Sequence, residues 1–149
     1  LHTDLHECLG HGSGKLAPGV DSEALKAYSS TIEEARADLF GLYYIADAKM
    51  VELGLTPNAE AYKSQYYTYM LNGLMTQLVR IKPGFTIEEA HMRNRQLIAR
   101  WAYEHGKANN VVEQDYQNNQ QIYQVCSIHS FYPNQDIQIL LEQQPFCSL

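Results

Sequence analysis

LHTDLHECLGHGSGKL, residues 1–16, sets two histidines five positions apart, His6 and His11, with Glu7 and Gly10 between them. The stretch reads as the end of a helix, closed by the glycines of Gly10-His11-Gly12-Ser13-Gly14. An α-helix turns about 100° per residue, so side chains at i and i+4 lie about 40° apart and share a face. At i+5 the second imidazole is about 140° away, too far round to meet an ion held by the first. A π-bulge absorbs one extra residue and returns the chain to its original face. Gly10, beside the second histidine, is where the backbone yields most easily. If one metal takes both imidazoles, this helix is distorted; a regular helix would rule the pairing out.

The usual two-histidine zinc helix reads H-E-x-x-H, with its glutamate as general base. Glu7 occupies that place next to His6. A catalytic zinc takes three protein ligands and keeps one position open. The third donor is sought in Glu33-Glu34-Ala35-Arg36-Ala37-Asp38, where Glu34 and Asp38 share a helix face at i, i+4. One would bind metal while the other orients a ligand histidine. A purely local role competes, because Ser30-x-x-Glu33 and Thr31-x-x-Glu34 are both capping boxes. Arg36 pairs with a neighbouring carboxylate on this reading. Cys8, about 200° round the helix from His6, points away from the metal and into packing. Gly10-x-Gly12-x-Gly14-Lys15 is not a phosphate loop, since Leu16 stands where such a loop needs Ser or Thr.

The rest of the chain frames these residues. With 149 residues, 45% hydrophobic and 19% charged, it has the composition of one globular domain able to bury a core. A net charge of −6 argues against a nucleic-acid or anionic-membrane surface. Three cysteines (Cys8, Cys126, Cys147) without a C-x-x-C suit a reducing compartment and a cytoplasmic location. Leu1-His2-Thr3-Asp4 has neither the basic n-region nor the apolar core of a signal peptide, and a chain that starts inside such a helix is expected to be part of a longer protein.

Helices are expected at about Asp21 to Tyr28 and from Ile32 to Leu53, stopped by Gly54. The second carries Leu39, Leu42, Tyr43, Ala46, Met50 and Leu53 at helical spacing. Another should open at Thr56-Pro57 and run to Ile81, with Tyr62, Tyr66, Tyr67 and Tyr69 packing against neighbours. The last, Ala90 to about His105, follows a capping box at Thr86-Ile87-Glu88-Glu89 and stops at Gly106. After Lys107 no lysine or arginine occurs in 42 residues, while glutamine occurs nine times. A strand at Ile122–Val125 and a helical turn or two at Asp136–Gln143 are expected there.

His6-Glu7-Cys8-Leu9-Gly10-His11, then Glu33-Glu34-Ala35-Arg36-Ala37-Asp38, closely resembles dipeptidyl peptidase III, a family defined by H-E-x-x-G-H and E-E-x-R-A-[DE]. The likeness runs on through Gly41-Leu42-Tyr43 and Ala90-His91-Met92-Arg93-Asn94-Arg95 and covers residues 1 to about 112. It implies zinc on His6, His11 and Glu34, with Glu7 as general base. It implies that Asp38 hydrogen-bonds a ligand histidine, with Glu33 supporting. It makes His91 the residue that stabilises the transition state or holds substrate, where a lone histidine in a helix's first turns would otherwise be structural, and puts Arg95 on the same face toward substrate. The implied activity is release of dipeptides from the N-terminus of short peptides, in a cleft between two lobes.

The expected architecture is therefore mainly α, the helical zinc-binding portion of a two-lobed metallopeptidase. Residues 1–112 would form the metal-binding part, and 113–149 an unassigned, irregular or partly β tail. Surface exposed by the missing portion would favour homo-oligomers. Two other readings stay open: a catalytically silent metal-binding fragment, and a metal-free helical interaction module.

Overall fold

A computed structural model describes residues 1–21, 23–73, 81–82, 87, 89–109, 112–117 and 120–125. Among them the chain is mainly helical, as its periodicity predicts. No described helix is long and apolar enough to cross a membrane. The described residues fall into two compact units, one up to Gln65 and the other from Tyr66.

The first unit is organised around α2, Ser29–Ile45. Ala37, Asp38, Leu39, Phe40, Gly41 and Leu42 are consecutive and all buried, so neighbours cover this stretch on every side. α1, His2–Leu5, runs directly into a π-helical turn, His6–His11, and both pack on α2. The amide of Gly12 donates to the carbonyl of Glu7 at 3.3 Å, closing an i to i−5 ring as a π turn requires.

Contact between this turn and α2 is close because both surfaces are nearly bare. A Cβ placed on Gly10 would lie 2.6 Å from the Ala37 Cα and 2.7 Å from its Cβ. One placed on Gly41 would lie 3.0 Å from the His2 ring. Gly10 is thus fixed by packing as much as by backbone freedom.

Several helix boundaries differ from those read in the sequence, each for a local reason. Among the described residues of 21–28 the helical structure is a short 3₁₀ turn, Lys26–Tyr28, which leads into α2. Neither capping box forms: the N-cap of α2 is Tyr28, no side chain caps the helix, and Ser30 and Thr31 lie inside it. The long helix expected through Leu53 breaks after Ile45. Asp47 takes an extended backbone (φ −71°, ψ 134°) and caps α3, Ala48–Glu52, by accepting from the Lys49 amide at 2.8 Å. Met50 stays buried on α3, but Leu53 is exposed. Gly54 (φ 70°) ends α3 as expected: its amide donates to Val51 O and the Leu55 amide to Met50 O, a Schellman closure.

Thr56-Pro57 does not open a helix. Asn58 accepts from the Glu60 amide at 2.9 Å, a local turn that competes with helix, and α4 begins only at Tyr62 and runs to Leu71. Ile81 lies in a bend, and 74–80 are outside the described residues.

In the second unit, Tyr66, Tyr69 and Met70 on α4 are buried while Tyr67 is exposed, so the tyrosine stripe packs on one side only. α5, Ala90–His105, buries Asn94, Ile98, Ala99 and Ala102. Glu89 itself caps α5, its two carboxylate oxygens accepting from the His91 and Met92 amides at 2.9 Å each. Thr86 and Glu88 of the expected capping box lie outside the described residues. The Tyr69 hydroxyl donates to Asn94 Oδ1 at 3.0 Å, and Asn94 is fully buried. A 3₁₀ turn, Gly106–Asn109, follows α5. β1, Val112–Gln117, then pairs antiparallel with β2, Gln120–Val125, in the register Val112 to Val125 and Gln117 to Gln120. β2 includes the Ile122–Val125 strand expected from sequence; Asp136–Gln143 falls outside the described residues.

Two substitutions test these contacts. Gly10→Ala drives a methyl into the α2 backbone and should destabilise the first unit by about 1–3 kcal/mol. Tyr69→Phe strips the buried Asn94 of its donor and should cost about 1–3 kcal/mol. Both are read as midpoint shifts in chemical denaturation at unchanged slope.

Candidate metal centre

The π turn carries His6 and His11; two successive turns of α2 carry Glu33, Glu34 and Asp38. Because the two elements touch at Gly10 and Ala37, short carboxylate side chains span the gap between them. His6 Nε2 lies 3.3 Å from Glu34 Oε2, and His11 Nε2 lies 3.7 Å from the same oxygen. The two rings stand nearly perpendicular, at 85°, with centroids 4.7 Å apart. One donor atom from each of His6, His11 and Glu34 falls within 4.8 Å of the others, and this group could hold a metal ion.

The distances fit such a role. Two ligands bound at about 2.0 Å with a tetrahedral angle between them sit about 3.3 Å apart. The two separations from Glu34 Oε2 are at that value and a few tenths above it. The extra residue in the motif is therefore what the π turn accommodates, bringing His11 back beside His6.

The other imidazole nitrogens have carboxylate partners. His6 Nδ1 lies 2.6 Å from Asp38 Oδ1, a buried contact whose carboxylate is 2% exposed. His11 Nδ1 lies 3.1 Å from Glu33 Oε1, at the surface. A ring that donates from Nδ1 presents Nε2 with its lone pair, the form a metal requires. Burial pushes the Glu33 carboxyl up, but hydrogen bonds from Arg36 and His11 outweigh it and hold the group below its ordinary range.

Two residues that sequence reading left aside belong to the same assembly. Arg36 forks onto Glu33, with Nε donating to Oε2 at 2.9 Å and NH2 to Oε1 at 2.5 Å. His2, one α-turn before His6, brings Nε2 to 3.9 Å from Asp38 Oδ1. The i, i+4 spacing of His2 and His6 was a readable signal for it. Arg36 had only its i, i+3 spacing from Glu33 to mark it.

Glu7 is exposed on the π turn, next to His6. Cys8 is also exposed, and is not packed as its helical angle had implied. His91 and Arg95 belong to the second unit, on α5 at i, i+4, with His91 exposed and Arg95 half-buried. The three-donor group of the first unit is complete without either of them.

No family model matches the chain, and no curated protein matches it.

Asp38→Asn keeps the shape of the buried contact but weakens its pull on His6. It should lower metal affinity about 10–100-fold, measured by competition with a chromogenic chelator, with little change in the helical circular dichroism signal.

Proposed function

We propose that this chain is the metal-binding portion of a zinc peptidase of the dipeptidyl peptidase III kind, which removes dipeptides from the N-terminus of short peptides. The observation that carries the reading is the meeting of both imidazole Nε2 atoms on Glu34 Oε2, from two motifs more than twenty residues apart. Capping, the competing explanation for Glu33 and Glu34, has lost its footing, because α2 begins without a side-chain cap.

Zinc is favoured over other divalent ions by chemistry. Two imidazoles and a carboxylate form a donor set of catalytic zinc, with a fourth position open for substrate or water. The same set also serves non-haem iron. Glu7, exposed and adjacent to a ligand as in H-E-x-x-H helices, tips the choice toward hydrolysis.

On this reading each side chain has a bounded task. His6, His11 and Glu34 would hold the ion, which would supply Lewis acidity to the scissile carbonyl and the attacking water. Asp38 and Glu33 keep the two imidazoles in their ligating form. Glu7 accepts the proton of the attacking water and returns it to the leaving amine. A role for His91 at the developing oxyanion and for Arg95 toward substrate rests on the family resemblance alone. N-terminal dipeptide specificity rests there too.

Protein purified without chelators should contain about one equivalent of zinc, and His6→Ala should contain none. Glu7→Gln should retain the zinc yet lose at least about 10²-fold in hydrolysis of a dipeptidyl chromogenic substrate. Zinc bound without hydrolysis in the parent would leave the silent metal-binding reading. Iron in place of zinc would overturn the peptidase, and no metal in either protein would leave the helical module.

A further inference from the structure

We propose that Arg36 is a positioning residue of the metal centre, holding Glu33 so that Glu33 fixes His11 with Nε2 toward the ion. The inference rests on the metal reading above and adds to it the means by which the exposed ligand is kept in place.

The two histidines are supported unequally. The side chains of His6 and Asp38 are 7% and 3% exposed, so packing alone confines that contact. Those of His11 and Glu33 are 31% and 44% exposed. A single imidazole–carboxylate hydrogen bond at the surface competes with water, and ordering a glutamate side chain for it costs rotamer entropy. Something must hold Glu33 still before it can hold His11.

Arg36 has the geometry for that. Its fork binds both carboxylate oxygens, and Oε1, which takes the 2.5 Å bond from NH2, is the oxygen facing His11 Nδ1 at 3.1 Å. The guanidinium is itself confined. Its carbon lies 5.7 Å from the centroid of the buried Phe40 ring. Its third nitrogen, NH1, donates to Ser13 Oγ at 3.3 Å, and that hydroxyl donates to Gly10 O at 3.2 Å. Arg36 therefore grips the segment that closes the π turn as well as the carboxylate that orients His11. Gly14 (φ 95°) leaves room for this: a Cβ there would lie 3.0 Å from NH1. A planar fork is needed, because a lysine ammonium cannot bind both carboxylate oxygens and Ser13 in one plane.

The test compares the parent chain with Arg36→Gln, Arg36→Lys, Glu33→Gln and the Arg36→Gln/Glu33→Gln double variant. Zinc affinity is measured by chelator competition, and the His11 tautomer by nitrogen-15 NMR of the metal-free proteins. Arg36→Gln should weaken zinc binding about 10–100-fold, the range for groups that orient a metal ligand. It should also shift His11 away from the Nδ1–H tautomer without moving His6. Arg36→Lys should recover only part of either effect. The double variant should bind zinc no more weakly than the weaker single variant, because Arg36 acts through Glu33.

Arg36→Gln with parental affinity and tautomer overturns the proposal, as does a double variant whose losses multiply. If Arg36→Gln proves unfolded, Arg36→Lys decides in its place: parental affinity and tautomer overturn the role. If the parent takes up no zinc, the metal reading falls, and the tautomer data still show whether Arg36 governs His11.

Discussion

The close approach of the π turn to α2 is the constraint on which the rest of the first unit depends. Packed helices usually sit about 8–10 Å apart, at a distance set by the side chains between them. Here those side chains are Gly10 and Ala37, and even one methyl on Gly10 would overlap the α2 backbone. Carboxylates reach only a few ångströms from their backbone. Glu34 and Asp38 meet His6 because nothing larger than hydrogen and methyl holds the two elements apart. The glycine in the opening motif is therefore a distance-setting residue, and the site follows from it.

That closeness has an electrostatic consequence. Glu33, Glu34 and Asp38 converge on the imidazoles of His2, His6 and His11 and on the Arg36 guanidinium, three carboxylates around one fixed positive charge. Asp38 is almost wholly buried, and a buried carboxylate needs compensation for its charge. A divalent cation at the meeting point of His6, His11 and Glu34 would supply it, with Glu34 Oε2 already 3.3 Å and 3.7 Å from the two imidazole nitrogens. Charge and geometry thus favour the same occupant.

The parts of this structure that were readable in sequence are those governed by rotation along one helix. The i, i+5 spacing of His6 and His11 demanded a distorted turn, and a π turn is there. Periodic apolar residues marked α2, a capping signal before Ala90 and the stop at Gly106 marked α5, and Gly54 marked the end of α3. What was misread depended on which polar group wins a local competition. Ser30 and Thr31 look like caps, but the 3₁₀ turn at Lys26–Tyr28 carries the chain into α2 and leaves them inside the helix. Asp47 looks like a surface residue in a long helix, yet its side chain captures the Lys49 amide and starts α3. Asn58 does the same against the start of α4. Arg36 was seen only as a partner for a nearby carboxylate. That the same carboxylate faces His11 becomes visible once the π turn lies on α2.

The π turn and the site are also linked energetically. α1 and the π turn together span only ten residues, below the roughly 12–15 at which an isolated helix is even marginal in water. The turn therefore persists because α2 holds it, through Gly10 on Ala37, His2 on Gly41, and the carboxylates on both imidazoles. Metal ligation would add bonds between the same two elements, and so would stabilise the fold along with the site. The ligands then divide by what else they do. His6 is buried against Asp38 and contributes to packing with or without metal, whereas His11 is exposed and contributes through Glu33 and Arg36. Loss of His6 should disturb the metal-free fold, while loss of His11 should act mainly on binding. A π turn laid on a nearly bare helix face is thus both the scaffold of the candidate centre and one of its products.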